Sequence, residues 1–287
     1  MPLPATPDTL RGIALVTLSA IVFAGVDALS KALADTQSVW QIVWARYAIA
    51  LPLILLLTPA PQWRTLFATT SLRQQIVRGI MPIGVSVTMV LGVRHLPLAE
   101  ATVILFSAPF AVVALAGPLL GERVQKASWI GVVVGFAAVM LVARPGLGHV
   151  SVYALFPLAA AAFYTFYQIM TRGLANRGEQ PRTTLAWTLA TGTAVATPLA
   201  ILTWEPVSAV AWVLMAALGL VFGLAQYLMI RAFALAPAGV LAPFAYVQIV
   251  AATGLGVVFF DTVPDGWTLL GVAMIVGAGV AVARAQR

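Results

Sequence analysis

A chain of 287 residues that is 61% hydrophobic and 9% charged, with a mean hydropathy of +0.99, has too little polar surface to cover a water-facing globule. A soluble enzyme and a nucleic-acid-binding domain are excluded, despite a net charge of +7 and a pI near 10.4. The lack of Cys removes disulfides, iron–sulfur clusters and thiolate metal sites, and His95 and His149 alone do not make a His-cluster centre; no metal or other cofactor is expected.

A membrane-crossing helix needs about 20 mostly apolar residues. In chain order that ruler gives ten spans, near 11–33, 38–57, 76–93, 98–119, 127–143, 150–171, 182–203, 209–231, 238–260 and 266–284. Pro- and Gly-bearing breaks separate them, at Thr58–Pro61, Arg144–Gly148, Asn176–Pro181 and Asp261–Gly266. The first span is too long for a signal-peptide core and carries Asp27 and Lys31, so cleavage after Ala32-Leu33-Ala34 is not expected. With the N-terminus inside, twelve basic residues face the cytoplasm: Arg11, Arg64, Arg73, Arg78, Arg123, Lys126, Arg172, Arg177, Arg182, Arg231, Arg284 and Arg287. Three face outward, Lys31, Arg94 and Arg144, and Arg46 lies within a span. This asymmetry predicts a multi-pass protein of a bacterial-type inner membrane with both termini cytoplasmic. The basic pI needs no anionic partner.

Shifting the chain against itself by 140 residues superposes the fifth span on the tenth. Ile130–Arg144 and Leu270–Arg284 agree at six of fifteen positions, among them Gly131/Gly271, Ala138/Ala278 and Arg144/Arg284. Chance gives roughly one or two in so apolar a chain. The same shift lays Ala14, Leu15, Leu18, Ala20 and Phe23 on Ala154, Leu155, Leu158, Ala160 and Phe163. Residues 1–146 and 147–287 then hold five helices each, and an odd number inserts the second copy upside down. The expected fold is an all-α integral membrane protein of ten transmembrane helices in two inverted five-helix repeats. That plan belongs to secondary transporters, with a solute site near the midplane between halves.

The stretch Leu96–Trp129 resembles the fourth-span and turn signature of the drug/metabolite transporter superfamily, EamA-type branch. The matching elements are Leu96-Pro-Leu-Ala99, Pro109 in mid-span and Gly121-Glu-Arg123; Trp44-Ala-Arg-Tyr47 is similar to that family's Arg-plus-aromatic segment. The second half departs from the pattern, with Gln248 near the Pro109 equivalent and Asp261 in place of the turn Glu. The resemblance implies a transporter that exports amino acids or other small amphipathic metabolites. The YddG-type aromatic amino-acid exporters are the nearest subgroup.

Two ionisable residues fall inside spans, where each costs several kcal/mol unless paired or hydrated. Asp27 and Arg46 lie at matching depth on adjacent helices, roughly 9–12 Å below the outer boundary at 1.5 Å per residue. They form either a static pair locking two spans or, if Asp27 faces a water-filled cavity, the protonation site that couples transport. Candidates for lining a solute cavity are Phe23, Phe106, Ser107, Tyr164, Tyr167, Gln168, Gln226, Tyr227, Tyr246 and Gln248. Amides do not face lipid, so the glutamines point inward, either as interhelical glue worth about 0.6–2 kcal/mol each or, as a set, as the polar lining of a mixed amide–aromatic cavity. Such a lining suits a neutral or zwitterionic solute with an apolar body.

Trp40, Trp63, Trp129, Trp204, Trp212 and Trp267 sit at span ends as interface anchors. The pairs Gly117/Gly121, Gly131/Gly135 and Gly219/Gly223 permit close helix approach; packing within a monomer is the expected use, with a dimer face the alternative. Pro82, Pro109, Pro157, Pro198 and Pro243 interrupt helices. The competing readings are a channel, a lipid flippase or scramblase, and a membrane-embedded enzyme. The chain carries no continuous polar stripe, nucleophile–base pair or phosphate-binding loop to support them.

Overall fold

The computed structural model describes residues 7–108, 110–112, 115, 126–143, 152–175, 177–235 and 244–285. Among them every regular element is helical. The chain begins with α1 (Pro7–Ala34), α2 (Val39–Ala48), α3 (Ala50–Leu57), the short α4 (Trp63–Leu66), α5 (Leu72–His95) and α6 (Leu98–Leu105). It continues through α7 (Lys126–Ala143), α8 (Leu155–Ala175), α9 (Pro181–Leu202), α10 (Ala209–Leu235), α11 (Val247–Phe260) and α12 (Gly266–Ala285). Six stretches are long and apolar enough to cross a bilayer: Leu10–Ala34, Val39–Leu56, Leu72–His95, Val152–Thr171, Pro181–Leu202 and Ala209–Met229.

Local chemistry explains the boundaries. Ser38 caps α2 in a capping box, its hydroxyl accepting from the Gln41 amide N–H at 3.2 Å while Gln41 Oε1 accepts from the Ser38 N–H at 3.1 Å. The second span breaks at Ile49 into α2 and α3, one residue after Ala48. Pro52 supplies the reason: it has no N–H for the Ala48 carbonyl, and its ring crowds that group. Hydroxyls inside the spans bond the carbonyl one turn back, as Ser30 does to Val26 (2.8 Å) and Thr102 to Leu98 (2.8 Å), so they enter lipid depth satisfied.

The helices pack as two lobes. One is cored by Val26, Ile42, Tyr47, Leu189, Met215 and Phe222, drawn from α1, α2, α9 and α10 with help from α5. The other is cored by Val103, Ile104, Val142, Ile249 and Ile275 of α6, α7, α11 and α12. A seam between them brings Ala24, Ala101, Ala160 and Ala252 together, small residues that let α1, α6, α8 and α11 approach closely. The most extensive helix pairs are α1 with α10, α5 with α8, α7 with α12, and α2 with α9.

The outer surface is apolar where a soluble protein would be polar. Val133, Phe136, Ile201, Val213, Val258 and Phe259 are exposed, as the lipid-facing side of a membrane bundle requires. Trp63, Trp129, Trp204, Trp212 and Trp267 are exposed as expected of interface anchors; Trp40 instead packs against the first core. Gly219 and Gly223 face α2 and α3, so this pair serves packing within the chain. Gly117, Gly121, Pro109 and Pro243 lie outside the described residues.

Candidate functional site

The seam carries a buried polar network. Arg46 on α2 and Asp27 on α1 are 5% and 7% exposed, and Nη2 of Arg46 lies 4.0 Å from Asp27 Oδ1. The pair anticipated from depth alone is therefore present, as a charge contact rather than a direct hydrogen bond. Arg46 instead donates from Nη2 to Ser30 Oγ (2.7 Å) and from Nη1 to Ser86 Oγ (3.2 Å). The Ser30 hydroxyl proton is already given to Val26, which leaves its lone pairs for the guanidinium. Ser86 also shares a hydrogen bond with the Tyr47 hydroxyl at 3.0 Å. The ring of Phe222 on α10 lies 5.6 Å from the guanidinium, a cation–π contact.

Across the seam, Gln248 of α11 donates from Nε2 to Asp27 Oδ2 at 3.1 Å. One carboxylate thus joins an arginine of the first lobe to an amide of the second. Arg46 Nε is buried with no hydrogen-bond partner among the described residues.

A second group lies on α8. Gln168 donates to the Tyr164 hydroxyl at 2.8 Å, and the Tyr164 and Tyr167 ring centroids are 6.0 Å apart. Tyr246 of the second lobe is flanked by Phe106 at 5.7 Å and Phe110 at 6.4 Å. Phe23 meets Phe222 edge-on at 6.2 Å, and Phe222 in turn meets Tyr47 at 5.4 Å. Asp27, Arg46, Gln248, Phe23, Phe106, Tyr164, Tyr167, Gln168 and Tyr246 accordingly gather along the seam and the helices that line it. Ser107 spends its hydroxyl on the Ile104 carbonyl at 2.7 Å. Gln226 is half-buried, whereas Tyr227 is 36% exposed on the outer face of α10 and stands apart from the cluster.

Sequence reading missed Arg78. Counted above only as a cytoplasmic-face charge, it is 2% exposed and stands seventh in α5. Its Nε donates to Thr171 Oγ1 (2.7 Å) and its Nη1 to Thr188 Oγ1 (2.7 Å) and the Thr184 carbonyl (3.2 Å), while Tyr167 presents its ring 4.4 Å away. The expected span 76–93 already contained it, two residues from its start, where a cation reads as a headgroup contact; what sequence could not show is the set of partners on α8 and α9.

Each end of the bundle is tied separately. At one, Glu179 accepts from Thr69 Oγ1 (2.7 Å), from the Thr70 N–H (3.1 Å) and hydroxyl (3.2 Å), and from Gln75 (3.3 Å). These donors, Thr69 foremost, hold the Glu179 carboxyl below the ordinary glutamate range. At the other, Gln41 exchanges two hydrogen bonds with the Glu205 backbone, at 2.9 and 3.1 Å. Beside it an open cavity of about 420 Å³ is lined by Ala34, Asp35, Gln37, Arg94, His95 and Glu205.

Comparison with known proteins places this arrangement. The EamA-like transporter family profile matches residues 10–144. The pseudopaline exporter CntI of Pseudomonas aeruginosa is 32% identical over 286 residues, covering 98% of this chain and 99% of that protein. The chain belongs to the EamA-like transporter family. A riboflavin transporter of Vibrio cholerae is 28% identical, covering 82% of this chain and 79% of its own length. An S-adenosylmethionine uptake transporter of Rickettsia felis is 24% identical, covering 94% and 91%. One crystal structure has the same fold, with a TM-score of 0.69 at 22% identity over 95% of this chain and 98% of its own. This EamA-type chain is thus a multi-pass membrane transporter of the drug/metabolite transporter superfamily, and not an enzyme.

Proposed function

We propose that the protein is a secondary transporter of a bacterial-type inner membrane that exports amino acids or similar small amphipathic metabolites. It works by alternating access between two inverted five-helix halves, residues 1–146 and 147–287. The observation that carries the reading is the Asp27–Arg46–Gln248 network, charged groups held at lipid depth across the seam between two lobes. Separating the lobes breaks the Gln248 link and opens the carboxylate to water. Protonation of Asp27 then releases Arg46 and couples the movement to a proton.

Helix pairing supports the inverted repeat. Numbering the spans from one to ten, a two-fold exchange of halves turns the pair α1–α10 (spans one and eight) into α5–α8 (spans three and six). It maps α2–α9 and α7–α12 onto themselves, and these four are the most extensive pairs. The family profile ends at residue 144, two residues short of the expected boundary. The positive-inside count supports a cytoplasmic location for both termini and for the Glu179 end. Relatives named for pseudopaline, riboflavin and S-adenosylmethionine support a small organic solute without favouring the YddG-type aromatic amino acids. The working unit is a monomer, since Gly219 and Gly223 are used within it.

The test is counterflow in sealed proteoliposomes with labelled amino acids and aromatic metabolites. Saturable counterflow of at least one solute is the expected result. Fast, non-saturable flux without counterflow would make the protein a channel, and flux of phospholipid alone a scramblase.

A further inference from the structure

Among the described residues two guanidinium groups are buried, those of Arg46 and Arg78, and their counter-charges differ. Arg46 faces the carboxylate of Asp27, whereas no carboxylate among the described residues forms an ion pair with Arg78. We infer that Arg78 receives an anionic group of the solute, a carboxylate on an amphipathic molecule, at the Glu179 end of the seam. This rests on the transport reading above and names the solute chemistry of that site.

Three features of the site support it. First, every group holding Arg78 is neutral: Thr171, Thr188, the Thr184 carbonyl and the Tyr167 ring. They orient the charge without cancelling it, and a buried uncompensated cation is costly until an anion joins it. Second, the hydroxyl protons of Thr171 and Thr188 are spent on the carbonyls of Tyr167 (2.6 Å) and Thr184 (2.7 Å). Both oxygens therefore act on Arg78 only as acceptors, which fixes the guanidinium plane. Its Nη2 makes no hydrogen bond to a described residue, leaving a donor for a carboxylate oxygen.

Third, a recognition surface for the rest of the solute adjoins the cation. Tyr167 stacks beneath the guanidinium, Tyr164 stands 6.0 Å beyond it, and Gln168 bonds the Tyr164 hydroxyl. Aromatic faces take an apolar body and the amide–phenol pair takes a polar substituent. Glu179, near the same end of α5, is occupied by Thr69, Thr70 and Gln75 and does not compete for Arg78.

The experiment uses matched acid and amide probes on the reconstituted full chain: L-phenylalanine with L-phenylalaninamide, and L-leucine with L-leucinamide. Inhibition of counterflow from the Glu179 side is measured at a pH that keeps both amines protonated. The acids should be preferred at least about tenfold, near 1.4 kcal/mol. Arg78→Gln, and Arg78→Met if the first variant does not fold, should shrink that preference to about threefold or less while inhibition by the amides persists. An unchanged preference, equal use of acids and amides by the wild type, or parallel loss of both in a folded variant assigns Arg78 to scaffolding and overturns the inference. Saturable flux of no organic solute at all by the folded wild type overturns the transport reading itself, a separate outcome.

Discussion

Replacing Asp27 by Asn isolates the charge in the seam network, because the side-chain oxygen can still accept from Gln248. At 4.0 Å, an attraction screened by an effective dielectric of about 20 is worth about 4 kcal/mol. Arg46 keeps Ser30, Ser86 and the Phe222 face, so it stays oriented but loses the carboxylate charge beside it. Removing one partner of a buried pair costs about 3–5 kcal/mol, which brackets the Coulomb figure. Thermal unfolding in mild detergent should therefore show Tm lowered by on the order of 10 °C. Arg46→Gln alone should do similar damage by leaving the carboxylate unpaired. The Asp27→Asn, Arg46→Gln double variant, with a neutral pair, should be more stable than either single one. Single variants within about 1 kcal/mol of wild type, with additive effects in the double, would refute the argument.

Three other outcomes follow from the packing. A methyl group added at Gly219 would strike Ile49 and come within 2.6 Å of the Ala45 carbonyl oxygen, so Gly219→Ala should force α10 from α2 and cost about 1–3 kcal/mol in detergent unfolding. Because its donors hold the Glu179 carboxyl below 4.5, the stability it lends is complete above that pH and drains away as pH falls through its lowered value. The Tm gap between wild type and Glu179→Gln should thus be widest at neutral pH and close in acid; a gap that widens in acid contradicts this. Tyr227→Phe should leave counterflow unaltered, whereas Gln248→Leu, which strips the second lobe's bond to Asp27, should lower it several-fold.

Six of the ten expected spans return among the described residues as helices long and apolar enough to cross a bilayer, because hydrophobicity and length are additive properties of a window. A shift of a few residues at Leu72 or Ala175 barely alters either. Breaks within a span depend on one residue, and Pro52 in the second span should have announced the interruption at Ile49. The Asp27–Arg46 pair was readable from depth, since two charges on neighbouring helices have few other ways to survive in lipid. Its link to Gln248 was not, because residues 221 apart in sequence meet only once the lobes are packed. Tyr227 is more exposed than Gln226 for a related reason: the two are adjacent, and neighbours on a helix point about 100° apart.

Arg78 shows how one reading can survive while another fails. Counting it on the cytoplasmic face contributed one of twelve inward-facing charges, and removing it leaves eleven against three. The orientation argument is a count and tolerates that error. Solute recognition is not a count: it depends on whether one guanidinium is hydrated in a headgroup layer or held by Thr171, Thr188 and Tyr167. Those partners are all neutral, so the guanidinium keeps its charge inside the bundle, and the solute carboxylate proposed above is the group that would offset it.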